Sequence, residues 1–241
     1  MQRTTLISSL FALFANLAMA QTHCDQLQAR IDSLANLDQV VQYLKLEVDK
    51  QQDLRDLFVC DADAQRLPTD LLAGDRDFIY GDGWGSVYAN ANVPLWNQFQ
   101  SQLGRSVWGG KILRKTADGV DLLNVMLDRR TMSYAAQVYN APSVVDGADS
   151  IVLDYRKDTT VAVVSQLVIQ RVRDELREIS YRGEKTGIYL GRAYLFTGNS
   201  QEKFSSAWQD TQKFVFAANF MLDFRAQNQD SIPAWALKFF E

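Results

Sequence analysis

Two periodicities divide the chain. From residue 24 to about 72, apolar positions return at intervals of three and four. Leu27, Ile31 and Leu34 make one stripe, and Val40, Val41, Leu44, Val48, Leu54, Leu57 and Phe58 make a second. Asn36-Leu37-Asp38 separates the two stripes, and Asp38 has the short acceptor side chain suited to a helix start. This segment predicts a helical hairpin, with 68–75, which holds Pro68 and Gly74, as the junction to the rest of the chain.

Beyond residue 75 the pattern changes to short β-branched and aromatic runs at 78–88, 106–113, 120–127, 132–139, 150–155, 160–169, 188–196 and 213–224. Turn-forming residues interrupt them at 116–119, 146–149 and 182–185. Segment 168–179 fits two periods. A helix would align Val168, Val172, Leu176 and Ile179. A strand would place Arg171, Arg173, Glu175 and Arg177 on one face and Val172, Asp174, Leu176 and Glu178 on the other. Its position between strong strand runs, opening onto a turn at Gly183, favours the strand. In the last run Phe214, Phe216, Ala218, Phe220, Leu222 and Phe224 share one face, which must meet a core or a cavity. Residues 94–103, with Leu95, Trp96, Phe99 and Leu103, read as a short helix against the sheet. The fold class is therefore α+β: an N-terminal helical hairpin packed on an antiparallel β-barrel of about eight strands.

The first twenty residues have a different character. Arg3 precedes an apolar stretch at 6–19 broken only by Ser8, Ser9 and Asn16, and Ala18-Met19-Ala20 has the small-x-small form of a cleavage site. The apolar part is shorter than the roughly 20 residues a membrane helix needs. The domain reading is a signal peptide at 1–20, a helical hairpin at 21–74 and a barrel domain at 75–241. It implies a secreted or periplasmic protein without stable membrane insertion. Export also gives meaning to Cys24 and Cys60, since an even pair in an oxidising compartment forms one disulfide most simply. That bond would join the outer ends of the helical hairpin.

Composition then removes several chemistries. The formal charge is −4, from 25 Lys and Arg against 29 Asp and Glu, and losing Arg3 with the leader makes it more negative. Such a balance gives no general attraction to nucleic acid or to an anionic membrane. The single histidine, His23, cannot furnish a Ser/His/Asp triad or a poly-His metal site in the body of the fold. No metal and no cofactor is expected. Gly81-Asp82-Gly83-Trp84-Gly85 has GxGxG spacing, but the run continues extended where a phosphate loop needs a helix N-terminus. A tight bend beside a large indole explains these glycines better.

Two groups of residues remain as candidates. The charge-dense run around Arg173, Asp174, Glu175 and Arg177 either forms a polar network lining the barrel, with a carboxylate prepared for acid/base work, or a solvated outer face. Glu175 is the first candidate base and Asp174 the second. The aromatic surplus, including Trp84, Trp96, Trp108, Tyr134, Tyr139, Tyr189, Tyr194, Phe216 and Phe220, either fills the core or lines a pocket for an apolar molecule. Lys111, beside Trp108-Gly109-Gly110, would be a counter-ion in that pocket if it points inward.

Gly83-Trp84 on the first strand, the strand count, the leader and the late Gly191-Arg192 together resemble the lipocalin-like (calycin) β-barrel proteins. The resemblance implies a barrel that binds a hydrophobic small molecule, with Trp84 matching the family's first-strand Trp and Arg192 or Arg225 its late Arg. The phrases at 146–155 and 187–194 also resemble those of uncharacterised secreted bacterial proteins, a likeness that implies no activity. The leading expectation is a binding protein for a hydrophobic small molecule, with any protein partner unknown. The alternative is an enzyme using Glu175 or Asp174 beside Arg173 or Arg177 as acid/base on a lipid-like or polyketide-like substrate.

Overall fold

A computed structural model describes residues 23–50, 54–60, 78–87, 108–116, 119–126, 131–157, 168–199 and 201–225. Eight strands pair antiparallel in chain order and the last returns to the first, closing a barrel. They are β1 (Phe78–Val87), β2 (Trp108–Thr116), β3 (Gly119–Met126), β4 (Thr131–Pro142), β5 (Asp149–Asp154), β6 (Val172–Tyr181), β7 (Glu184–Phe196) and β8 (Phe214–Asp223). Closure pairs β1 with β8, with Trp84 opposite Met221 and Gly85 opposite Phe220. Segment 168–179 resolves as the strand expected from 172 onward, while Val168 and Ile169 form a helical turn before it. The predicted leader, the junction at 68–75, the short helix at 94–103 and the run at 160–167 lie outside the described residues.

One apolar cluster draws on every strand, from Ile79, Leu113 and Leu122 through Ala136, Ile151 and Leu176 to Tyr189 and Leu222. Only the lumen of a closed barrel is reachable from all its walls, so these positions mark the inward faces. At the end where β1 begins and β8 finishes, the lumen is filled by rings seated on glycines. A Cβ on Gly81 would meet the Phe224 ring there at 2.6 Å; farther along the lumen, toward Trp108, one on Gly191 would strike the Phe220 ring. Phe224 in turn stands edge-on to Tyr189 at 5.5 Å.

The aromatic stripe expected along β8 does not hold its single face. Ala193 pairs with Ala218 but Tyr194 pairs with Phe216, leaving Ala217 as an extra residue. This bulge reverses the alternation. Ala218, Phe220, Leu222 and Phe224 point into the barrel, whereas Phe214 and Phe216 pack outside it with Tyr194, Phe196 and Trp208. Trp208 arrives there on the short 3-10 turns between β7 and β8.

The helices cover the outside of β1 and β6 to β8. Among the described residues the N-terminal layer has three helices where the sequence predicted a hairpin of two: α1 (23–32), α2 (Leu37–Lys50) and α3 (Leu54–Cys60). The second apolar stripe divides between α2 and α3. Asn36, not Asp38, caps α2, its Oδ1 accepting the Gln39 amide at 3.0 Å, because the helix begins at Leu37 and Asp38 already lies in its first turn. Leu27, Ile31, Val40, Leu44 and Phe58 bury themselves against Ile179, Ile188, Leu190 and Met221, the outward residues of the sheet. The Cys24–Cys60 disulfide joins the start of α1 to the end of α3 across 36 residues. The β6–β7 turn docks on α1: Arg182 and Gly183 adopt left-handed φ of 52° and 80°, and the Arg182 amide donates to Asp32 Oδ1. No helix among the described residues is long and apolar enough to cross a membrane.

Candidate functional site

In a ring of eight strands, β2 and β6 stand opposite each other, so a bond between them crosses the lumen. Lys111 faces inward two residues before Leu113, and Asp174 faces inward between Val172 and Leu176. Lys111 Nζ lies 3.0 Å from Asp174 Oδ2. It also donates to Asn124 Oδ1 and to the Tyr155 hydroxyl, both at 2.7 Å, which engages all three of its N–H groups. Tyr155 donates its own O–H to Asp174 Oδ2 at 3.0 Å and accepts from Asn124 Nδ2 at 3.2 Å. Trp108 Nε1 donates to Asn124 Oδ1 at 3.0 Å.

The ammonium sits among aromatic rings, with Trp108 and Tyr155 centroids at 5.4 Å and Phe220 at 5.2 Å. Trp108 meets Phe220 edge-on at 5.6 Å. Burial pushes the Lys111 ammonium below the ordinary lysine range, and the Asp174 charge and hydrogen bond act against that shift. The cluster lies toward the end of the barrel opposite the Phe224 plug, where Trp108, Leu195 and Ala218 are only partly buried. Asp174 Oδ1 makes no hydrogen bond among the described residues, and the side chain keeps 7% exposure.

The structure separates the acid/base set expected from the sequence. Asp174 faces the lumen, while Arg173, Glu175 and Arg177 face outward, because adjacent strand residues alternate sides. The outward set is nevertheless not solvated. The 143–148 loop folds over it, and Glu175 accepts from Ser143 Oγ at 2.6 Å, the Val144 amide at 2.9 Å and Arg173 Nε at 2.9 Å. Arg177 donates to the Phe58 carbonyl at 2.8 Å and to both oxygens of Asp146 at 2.8 and 2.7 Å. These charges fasten a loop and α3 to the barrel wall.

The predicted ligand-binding residues divide in the same way. Trp108, Lys111 and Phe220 meet in the lumen, and Tyr189 faces it at the plugged end. Trp84 points outward into the helical layer, with Lys45 Nζ 5.3 Å from its ring. Tyr139 lies outside and donates to Asp154 Oδ2 at 3.0 Å. Arg192 stacks outside on Phe216 at 4.4 Å and bonds Tyr194 and Asn219. Burial pushes the Tyr194 hydroxyl up to about 12, against the neighbouring Arg192 charge. The side chain of Tyr134 lies outside the described residues, as does Trp96. Sequence reading missed Asn124 and Tyr155. Asn124 was within reach of it: pairing outward from the turn at 116–119 places Asn124 opposite Lys111. Tyr155 continues the inward alternation of Ile151 and Leu153.

No family model, no curated protein and no solved structure matches this chain.

Proposed function

We propose that this chain is an exported binding protein for a hydrophobic small molecule, held in the barrel lumen at the end bounded by Trp108 and Phe220. Closed barrels of eight strands include those that hold one small ligand in place of a fully packed interior, the use that lipocalin-like proteins make of theirs. The observation that carries the reading is the Lys111–Asp174 pair spanning opposite walls beneath a partly exposed tryptophan. A buried ion pair is a poor means of stabilising a core, since well-packed apolar residues of similar volume do as well or better. Its presence among apolar side chains marks a few convergent polar groups in an apolar site, the usual make-up of a ligand pocket. Export rests on the leader at 1–20 and agrees with the Cys24–Cys60 disulfide.

Native mass spectrometry on gently purified full-length protein tests the proposal. The wild type should carry an apolar molecule through purification, and Trp108→Ala, correctly folded by circular dichroism, should lose it. A wild type that is ligand-free and takes up no added apolar compound would contradict it.

A further inference from the structure

The polar cluster in the lumen is asymmetric in what it still offers. Lys111 uses all three N–H groups on Asn124, Tyr155 and Asp174. Tyr155 uses its only O–H on Asp174, and Trp108 its only N–H on Asn124. The N–H groups of Lys111 and Trp108 and the O–H of Tyr155 are therefore engaged inside the cluster. Asp174 Oδ1 is different: it is an acceptor with no hydrogen-bond partner among the described residues, on an inward-facing side chain that keeps 7% exposure.

A ligand carboxylate would meet this oxygen as a like charge. It would gain Lys111 only by breaking the bridge to Asp174. An alcohol, an amide N–H or an ammonium can instead donate to Oδ1 while leaving every existing bond in place. Resting on the reading that the lumen holds a small apolar molecule, we infer that the ligand's polar head is a hydrogen-bond donor received by Asp174 Oδ1, and not a carboxylate. A donor head on an apolar body suits the surroundings, since Trp108 and Phe220 stand beside the pair.

The test uses the full-length protein and the fluorescent probe N-phenyl-1-naphthylamine, displaced by four ten-carbon compounds: decan-1-ol, decylamine, methyl decanoate and decanoate. Decan-1-ol and decylamine should displace the probe at concentrations about tenfold or more below the other two, the loss expected when a buried hydrogen bond to a charged group is unmade. Asp174→Asn should narrow or reverse that order. The wild-type comparison stands alone if that variant fails to fold. Decanoate or methyl decanoate competing as well as decan-1-ol would overturn the donor assignment while leaving the lumen as a binding site. Displacement by none of the four would also overturn it. Failure of the probe itself to bind saturably would overturn the underlying reading, and this inference with it.

Discussion

Lys111 and Asp174 are each expensive to bury and tolerable only together. Removing one leaves the other as an uncompensated charge in an apolar lumen, a loss of about 3 to 5 kcal/mol. Lys111→Met should therefore destabilise by that amount in urea titration, and Lys111→Met/Asp174→Leu should recover most of it. Proton linkage gives a second signature. Because the folded protein holds the Lys111 pKa below its ordinary value of 10.5, the unfolded chain binds more protons in the interval between the two. Stability should thus rise with pH across that alkaline interval. The double variant should lose this rise in urea midpoints measured over the same range. Lys111 was visible in the sequence as an isolated cation among aromatics and glycines. Its pairing with Asp174, the second candidate base, was not. Choosing Glu175 over Asp174 was a choice between adjacent residues of one strand, and strand alternation sends them to opposite sides of a wall. Nothing in composition says which side is the lumen.

At the scale of elements, periodicity disclosed the strands and the helical layer because both bury one face against a shared core. It failed at the two places where a local device interrupts the period. The bulge at Ala217 turns Phe214 and Phe216 outward, and the cap at Asn36 starts α2 before Asp38. Both depend on which partner a backbone group finds, which a single strand or helix does not encode. The glycines of the barrel are legible once the rings are placed. Gly191→Ala should push Phe220 toward Trp108 and cost about 1 to 3 kcal/mol, as overpacking does, with weakened probe binding in the same variant. The 143–148 loop carries its own test. Burial acts to raise the Asp146 pKa, but the hydrogen bonds from Arg177 and the Ala148 amide outweigh it and hold the carboxyl below its ordinary value of 3.8. That contribution is present above pH 3.8 and disappears as pH falls through the lower, folded value. Asp146→Asn should lower stability near neutrality by roughly 1 to 3 kcal/mol and flatten the acid limb of the urea-midpoint profile.

The described residues form a barrel whose outer face at β1 and β6 to β8 is covered by the N-terminal helices, held there by the apolar seam with Met221 and Leu190, the Arg177 bond to the Phe58 carbonyl and the Arg182 amide bond to Asp32, while the disulfide ties α1 to α3. Loop-closure entropy for a 36-residue span is worth about 3 to 4 kcal/mol. Cys24→Ser/Cys60→Ser should lose that amount in thermal and urea unfolding while keeping the barrel's far-ultraviolet spectrum. On the other side of the wall, we propose, the lumen beside Trp108, Lys111 and Asp174 receives a small apolar molecule. Nuclear magnetic resonance of the tryptophan indole N–H groups during titration with N-phenyl-1-naphthylamine tests it most directly. The Trp108 signal should shift and saturate at one equivalent while those of Trp84 and Trp208, outside the barrel, stay in place. Saturable shifts at Trp84 or Trp208 with Trp108 unmoved would contradict it.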